Sequence, residues 1–228
     1  MNSPRRADFS RTWAVVPIRG LETAKTRLGG DLDPEERRSL VTELLRRTLV
    51  ATRDASTIAG TVVVTMDPAA AAIANRHRAI GLLERVPGGL NAAIEAARSV
   101  AIARGASAVL VLPADLPAVS AAALDELIET AREAATAREQ VSATNGAAAN
   151  GLVLVVPDRH GAGTNALLVS PPDAVAPRFG DSSRAAHREA ARDAGMRYLE
   201  LDGPLSLDVD TPADLLVAEA ALGGPLDA

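Results

Sequence analysis

Arg19, Lys25 and Arg27 are gathered in one short segment free of aromatic residues, Pro17-Ile-Arg-Gly-Leu-Glu-Thr-Ala-Lys-Thr-Arg-Leu28. Guanidinium forks and a compact ammonium, with Gly20 allowing close backbone approach, suit a polyphosphate. A merely solvated basic loop would have the same composition, so position has to decide. Asp115 stands in Leu112-Pro-Ala-Asp-Leu-Pro117, boxed by two prolines. Such a carboxylate suits magnesium, which takes one or two carboxylates and completes its shell with phosphate oxygens and water. The alternative is a turn or capping Asp before Ser120. Asp208 and Asp210, two apart in Leu207-Asp-Val-Asp-Thr211, project from one face of an extended segment. They either complete a metal site with Asp115 or complement the N-terminus of a following helix.

Two further segments offer backbone amides and small polar groups. Phe179-Gly-Asp-Ser-Ser-Arg184 places Gly180 before Ser182 and Ser183 at a helix start, where an anion can dock or a serine can simply cap. Gly88-Gly-Leu-Asn91 opens another helix, with Gly88 and Gly89 permitting close approach and Asn91 able to read a base edge or ribose. Neither the Walker phosphate loop nor a G-x-G-x-x-G dinucleotide fingerprint is present.

The elements that must position these groups are legible as periodicity. Apolar runs at 13–17, 61–65, 80–85, 108–112, 151–157, 165–170 and 197–201 read as strands, and 80–85 is the weakest of them. Helical spacing occupies 34–55, 69–76, 90–104, 120–135 and 182–194, with a last helix from Thr211. Asp33 with Pro34, and Thr211-Pro-Ala-Asp214, are helix starts. Strand and helix alternating in this way predict an α/β fold. It is a single-domain, mostly parallel open sheet with helices on both faces and right-handed crossovers. The domain is expected over 12–222, between tails at 1–11 and 223–228, with the alanine-rich stretch 136–150 as a flexible surface loop. In such sheets ligands bind beyond the carboxyl ends of the strands, where strand order reverses. That rule favours the loops after the first and fourth strands, which carry Pro17 to Arg27 and Asp115.

Composition excludes several classes. The chain has 228 residues, 47% hydrophobic, and no cysteine, so disulfides, thiolate metal sites and cysteine nucleophiles are out. A formal charge of −5 argues against a general nucleic-acid binder, and no apolar run is long enough to span a bilayer. The expectation is a soluble, cytoplasmic protein whose partners are small molecules, with a homodimer as the candidate assembly.

Taken in order, the motifs resemble the CofC/FbiD family of guanylyltransferases of coenzyme F-420 biosynthesis. They are Val16-Pro-Ile-Arg19 with Ala24-Lys-Thr-Arg-Leu28, Gly89-Leu-Asn91, Pro113-Ala-Asp-Leu-Pro117, Pro157-Asp-Arg-His-Gly-Ala-Gly-Thr-Asn165, Phe179-Gly-Asp-Ser-Ser183 and Leu207-Asp-Val-Asp-Thr-Pro212. The Asp-Arg-His-Gly-x-Gly-Thr-Asn and Phe-Gly-x-x-Ser segments are the distinctive pair. The resemblance implies a Rossmann-like fold of the nucleotide-diphospho-sugar-transferase type. It implies that Pro17, Arg19, Gly20, Lys25 and Arg27 bind the GTP phosphates, with Lys25, Arg27 and Asp115 as the catalytic set. Gly88, Gly89 and Asn91 would lie by guanosine, and Asp115 with Asp208 or Asp210 would hold Mg2+. Thr164, Asn165, Gly180, Ser182 and Ser183 would bind a phosphorylated acid, phosphoenolpyruvate in the first reading and 2-phospholactate in the alternative. Many members carry lysine where Arg19 stands. A molybdenum-cofactor or sugar nucleotidyltransferase, and a non-catalytic nucleotide-binding domain, are the competing readings.

Overall fold

The computed structural model describes residues 6–22, 25, 32–84, 88–145, 151–222, 224 and 226. Seven strands form one sheet: β1 (Thr12–Pro17), β2 (Ile58–Thr65), β3 (Ile80–Leu83), β4 (Ala108–Val111), β5 (Leu152–Pro157), β6 (Thr164–Ser170) and β7 (Arg197–Glu200). They lie in the order β3-β2-β1-β4-β6-β5-β7. β1 to β4 are mutually parallel, as are β5 and β7, while β6 runs antiparallel between β4 and β5. Its direction follows from the short link after β5, since a parallel crossover would need a dozen or more residues. Mostly parallel is therefore the right description, with β6 as the exception.

Period-two alternation splits the core into two layers. Ala108 and Leu110 of β4 face α1 (Pro34–Asp54) and α4 (Ala121–Asn145), meeting Ala51, Leu124 and Ile128. Val109 and Val111 face the opposite way, onto α3 (Leu90–Ala103) and α5 (Ser183–Asp193), among Ile94, Ala97 and Ala191. α2 (Pro68–Arg76) and α6 (Pro212–Leu222) complete the order. α1 starts where predicted, with a full capping box between Asp33 and Glu36.

Two expectations change. α4 continues to Asn145, through most of the stretch predicted as an irregular loop from Thr136. Alanine, glutamate, arginine and glutamine are strong helix formers even where they carry no amphipathic period. The tail expected at 1–11 packs onto the domain from Asp8 onward: the Asp8 N–H donates to Ser170 Oγ at 2.8 Å and Phe9 is buried in the α4-side core. Leu226 likewise packs beside Val209 and Ala218. Among the described residues, no helix is long and apolar enough to cross a membrane.

The strand order fixes where ligands go. From β1 the chain builds outward through β2 to β3, then returns to place β4 on β1's other side. The loops leaving β1 and β4 diverge there, opening a crevice at the carboxyl ends of both.

Candidate active site

Asp115 leaves the tip of β4 into that crevice. The ladder runs one residue past the strand, Leu112 N–H donating to Val15 O at 2.9 Å, and Ala114 and Leu116 are buried on either side of the Asp. Lys25 arrives from the loop after β1 with a left-handed φ of 57°, a backbone state uncommon outside glycine. Its ammonium donates to Asp115 Oδ2 at 2.6 Å and to Asp210 Oδ1 at 2.7 Å. Burial pushes the Lys25 pKa down, but the charges of Asp115 and Asp210 outweigh it and hold the ammonium above its ordinary range.

The carboxylates at 208 and 210 flank Val209, which is fully buried and donates its N–H to Asp115 O at 3.2 Å. This backbone bond brings the C-terminal segment against the β4 loop. Asp208 accepts from Asn165 Nδ2 at 3.3 Å; burial and then the neighbouring Asp115 carboxylate raise its pKa. Asp214 anchors the segment from behind. Its Oδ2 accepts from the N–H groups of Asp210 at 3.0 Å and Thr211 at 2.7 Å, while Asp214 N–H donates to Thr211 Oγ1 at 3.3 Å. An Arg159 ion pair on its other oxygen ties this cap to the β5–β6 link.

Asp115 Oδ1 is buried with no hydrogen-bond partner. An orphaned carboxylate oxygen beside an electrostatically strained Asp208 is a place where a cation would be stabilising. Among the described residues no group of three or more acidic or imidazole side chains has metal-ligand spacing. The donor set fits a hard cation held by one or two carboxylates and otherwise by substrate oxygens.

A cleft of about 1020 Å3 includes Asp115 and Asp208 in its lining. The β1 loop and the start of α3 contribute Pro17, Arg19, Gly20 and Gly89 to it. β6 and the segment entering α5 contribute Thr164, Asn165, Gly180 and Ser183. Thr164 and Asn165 sit on β6 and Ser183 opens α5, all of them buried. Gly180 has a φ of 136°, which excludes a side chain even though the space is open. Gly163 has a different reason: a Cβ there would lie 2.5 Å from Asp158 Oδ2.

His187 stands behind Thr164, a placement that sequence reasoning, which reads it as structural or substrate-adjacent, does not reveal. It is fully buried, with Nδ1 3.1 Å from Thr164 Oγ1 and Nε2 accepting the Arg178 N–H at 3.0 Å. Burial, reinforced by the Arg178 charge, lowers its pKa to about 4, so the ring is neutral near pH 7. Because Nε2 must accept from a backbone amide, the single ring proton resides on Nδ1 and is donated to Thr164 Oγ1. The Thr164 hydroxyl proton is thereby freed for a ligand. The missed signal was spacing: Ser183 and His187 are four apart, on one face of α5.

Asn91 is a correction to the expectation that it faces the base. Its Nδ2 donates to Phe179 O at 3.0 Å and its Oδ1 accepts the Phe179 N–H at 2.8 Å, so the amide braces the loop before α5. Ser182 occupies the left-handed cap of α5, and neither it nor Gly88 lines the cleft. Arg27 lies outside the described residues.

The fold, with one cleft at the carboxyl ends of β1 and β4 and a Lys–Asp cluster at its edge, defines a nucleotidyltransferase-like protein. Solved structures of that class share the fold. A Desulfovibrio desulfuricans protein provisionally assigned as a nucleotide-diphospho-sugar transferase superposes with a TM-score of 0.68 at 15% identity, over 93% of this chain and 87% of that one. A Methanothermobacter nucleotidyl transferase gives 0.59 at 17% identity, covering 93% and 98%. Residues 12–224 match the family described as guanylyl transferase, CofC-like, and the chain belongs to that family. Phosphoenolpyruvate guanylyltransferases are among its relatives. That of Sphaerobacter thermophilus is 40% identical, covering 95% of this chain and 97% of its own; that of Rubrobacter xylanophilus is 39% identical, covering 92% and 95%.

Proposed function

We propose that this protein transfers GMP from GTP to phosphoenolpyruvate, releasing pyrophosphate and giving enolpyruvyl-diphospho-guanosine for coenzyme F-420 assembly. The observation that carries the proposal is a single cleft whose lining joins Pro17, Arg19 and Gly20 with Thr164, Gly180 and Ser183, and includes Asp115 with Lys25 bound to it. A reaction joining two anions needs such a junction, since it must hold them together against repulsion and in line. The names of relatives at about 40% identity support phosphoenolpyruvate as the acceptor.

The chemistry needs no general base. A phosphate monoester has a second pKa of about 6, so its oxygen is already anionic and can attack the α-phosphorus directly. Arg19 and Lys25 would neutralise the triphosphate. Thr164, its hydroxyl proton directed by His187, and the Ser183 hydroxyl would orient the acid. Asp115 and Asp208 would hold a divalent cation, magnesium, which when bound offsets charge on the phosphate oxygens and the leaving pyrophosphate. Asp210 then serves chiefly as the second partner of Lys25.

Pyrophosphate release from GTP, with magnesium and either phosphoenolpyruvate or 2-phospholactate, tests the reading. Turnover with phosphoenolpyruvate and little with 2-phospholactate is the expected result. The reverse preference would reassign the acceptor, and no turnover with either would remove the proposal.

A further inference from the structure

We infer that Glu84 selects guanine, its carboxylate accepting from the base's N1–H and N2 amino group, between apolar walls supplied by Met66 and Leu90. The inference rests on the guanylyl-transfer reading and adds the base-selecting side chain to it.

The walls follow from strand alternation. On β2, Val62 and Val64 face the α3 layer, and Met66 comes two residues further on. On β3, Ile80 and Leu82 pack into the same layer, and Glu84 is again two residues on. Side chains two apart on a strand share a face, so Met66 and Glu84 emerge on the side where Leu90 opens α3. All three line the cleft. Met66 is 45% and Leu90 46% exposed. Large apolar side chains left open to water inside a cleft mark a ligand surface, and a planar base is the apolar part of a nucleotide.

Glu84 is fixed in backbone and uncommitted in side chain. Its N–H donates to Thr65 O at 2.8 Å, carrying the β2–β3 ladder one residue past the strand. Among the described residues its carboxylate has no hydrogen-bond or ion-pair partner. The other carboxylates lining the cleft already have donors. Asp67 accepts from the Leu21 and Ala69 amides, Glu22 from Arg38, Asp158 from the Ala162 amide, Asp115 from Lys25 and Asp208 from Asn165.

Position agrees with chemistry. β3 lies three strands from β4 in the sheet, about 14 Å at ordinary strand spacing. A nucleotide with its reacting phosphorus near Asp115 would extend its base toward that edge. Guanine presents two adjacent donors on its pairing edge, which match the two oxygens of a carboxylate. Adenine offers an acceptor beside a donor, and hypoxanthine lacks the amino group.

The test compares kcat/KM for GTP, ITP and ATP, with phosphoenolpyruvate saturating, in the native protein and in Glu84→Ala. A hydrogen bond to a charged group implies a native GTP preference over ITP of about 10- to 100-fold. In Glu84→Ala that ratio should fall to within about 3-fold, with the loss in KM for GTP more than in kcat and an unchanged KM for phosphoenolpyruvate. Met66→Ala should weaken GTP and ITP alike and keep their ratio, which separates wall from reader. A Glu84→Ala protein that turns over GTP with the native GTP:ITP ratio would overturn the inference while leaving guanylyl transfer standing. A native protein inactive with all three nucleotides would remove both.

Discussion

Lys25 Nζ and Asp115 Oδ2 meet at 2.6 Å across the switch between β1 and β4, although 90 positions separate them in the chain. This pair joins the basic loop to the acidic tip, and Asp210 closes the triangle. Lys25→Met should lower kcat/KM for GTP by about 100- to 1000-fold, the scale of removing one preorganised charge at a transition state. It should also destabilise the fold, because two partly exposed carboxylates lose their donor. Asp115 and Asp210 side chains are 29% and 46% exposed, so water recovers part of the loss and roughly 1–3 kcal/mol is expected. Pyrophosphate release and urea unfolding measure the two effects separately; turnover within about threefold of native would contradict the role.

Asp208 and Asp210 are separable by metal titration. Asp208 lines the cleft beside Asp115, whereas Asp210 is held by Lys25. Asp208→Asn should raise the magnesium concentration for half-maximal rate by about 10-fold or more. Asp210→Asn should shift it far less and show instead a reduced affinity for GTP. Chelation of magnesium should abolish turnover of the native protein reversibly. Equal shifts in both variants would mean that the two carboxylates share the cation.

Much of this arrangement was readable in the residues. Short continuous apolar runs marked every strand, and Asp33 and Thr211 marked their helices because capping chemistry is local. The crevice after β1 and β4 followed from a topological rule that needs only the strand–helix alternation. What escaped depends on distant partners. Nothing near Asn91 announces that its amide will pair with Phe179, 88 positions away, and Glu84 gains its meaning only beside Met66 and Leu90. The extension of α4 escaped for another reason: 136–145 lacks an apolar period, and helix propensity without amphipathicity leaves little pattern to read.

Asn91→Ala tests the brace against the base contact expected from sequence. The substitution unpairs the Phe179 N–H and C=O and loosens the turn that carries Gly180 and Ser183. The KM for phosphoenolpyruvate should rise about 10-fold with the KM for GTP changed less. If Asn91 read guanine instead, the larger change would fall on GTP.

His187 gives the protein a pH dependence with a definite sign. Its pKa falls from 6.5 in the unfolded chain to about 4 in the fold, so the unfolded state binds more protons between those values. The stability that depends on a neutral His187 is fully present above pH 6.5 and is lost progressively as pH falls toward 4. The shift corresponds to about 3 kcal/mol in total, of which about 2 kcal/mol should disappear between pH 7 and pH 5. His77, whose pKa is also lowered, first by burial, adds a contribution of the same sign. Comparison with His187→Asn isolates the buried ring: the variant should be less stable at pH 7, because the Arg178 N–H and Thr164 Oγ1 lose well-placed partners, yet lose less stability on acidification. It should also raise the KM for phosphoenolpyruvate, since the Thr164 hydroxyl is no longer oriented. Urea unfolding of both proteins at pH 5, 6 and 7 provides the test. Parallel stability profiles would show that His187 is not held neutral by its burial between Thr164 and Arg178.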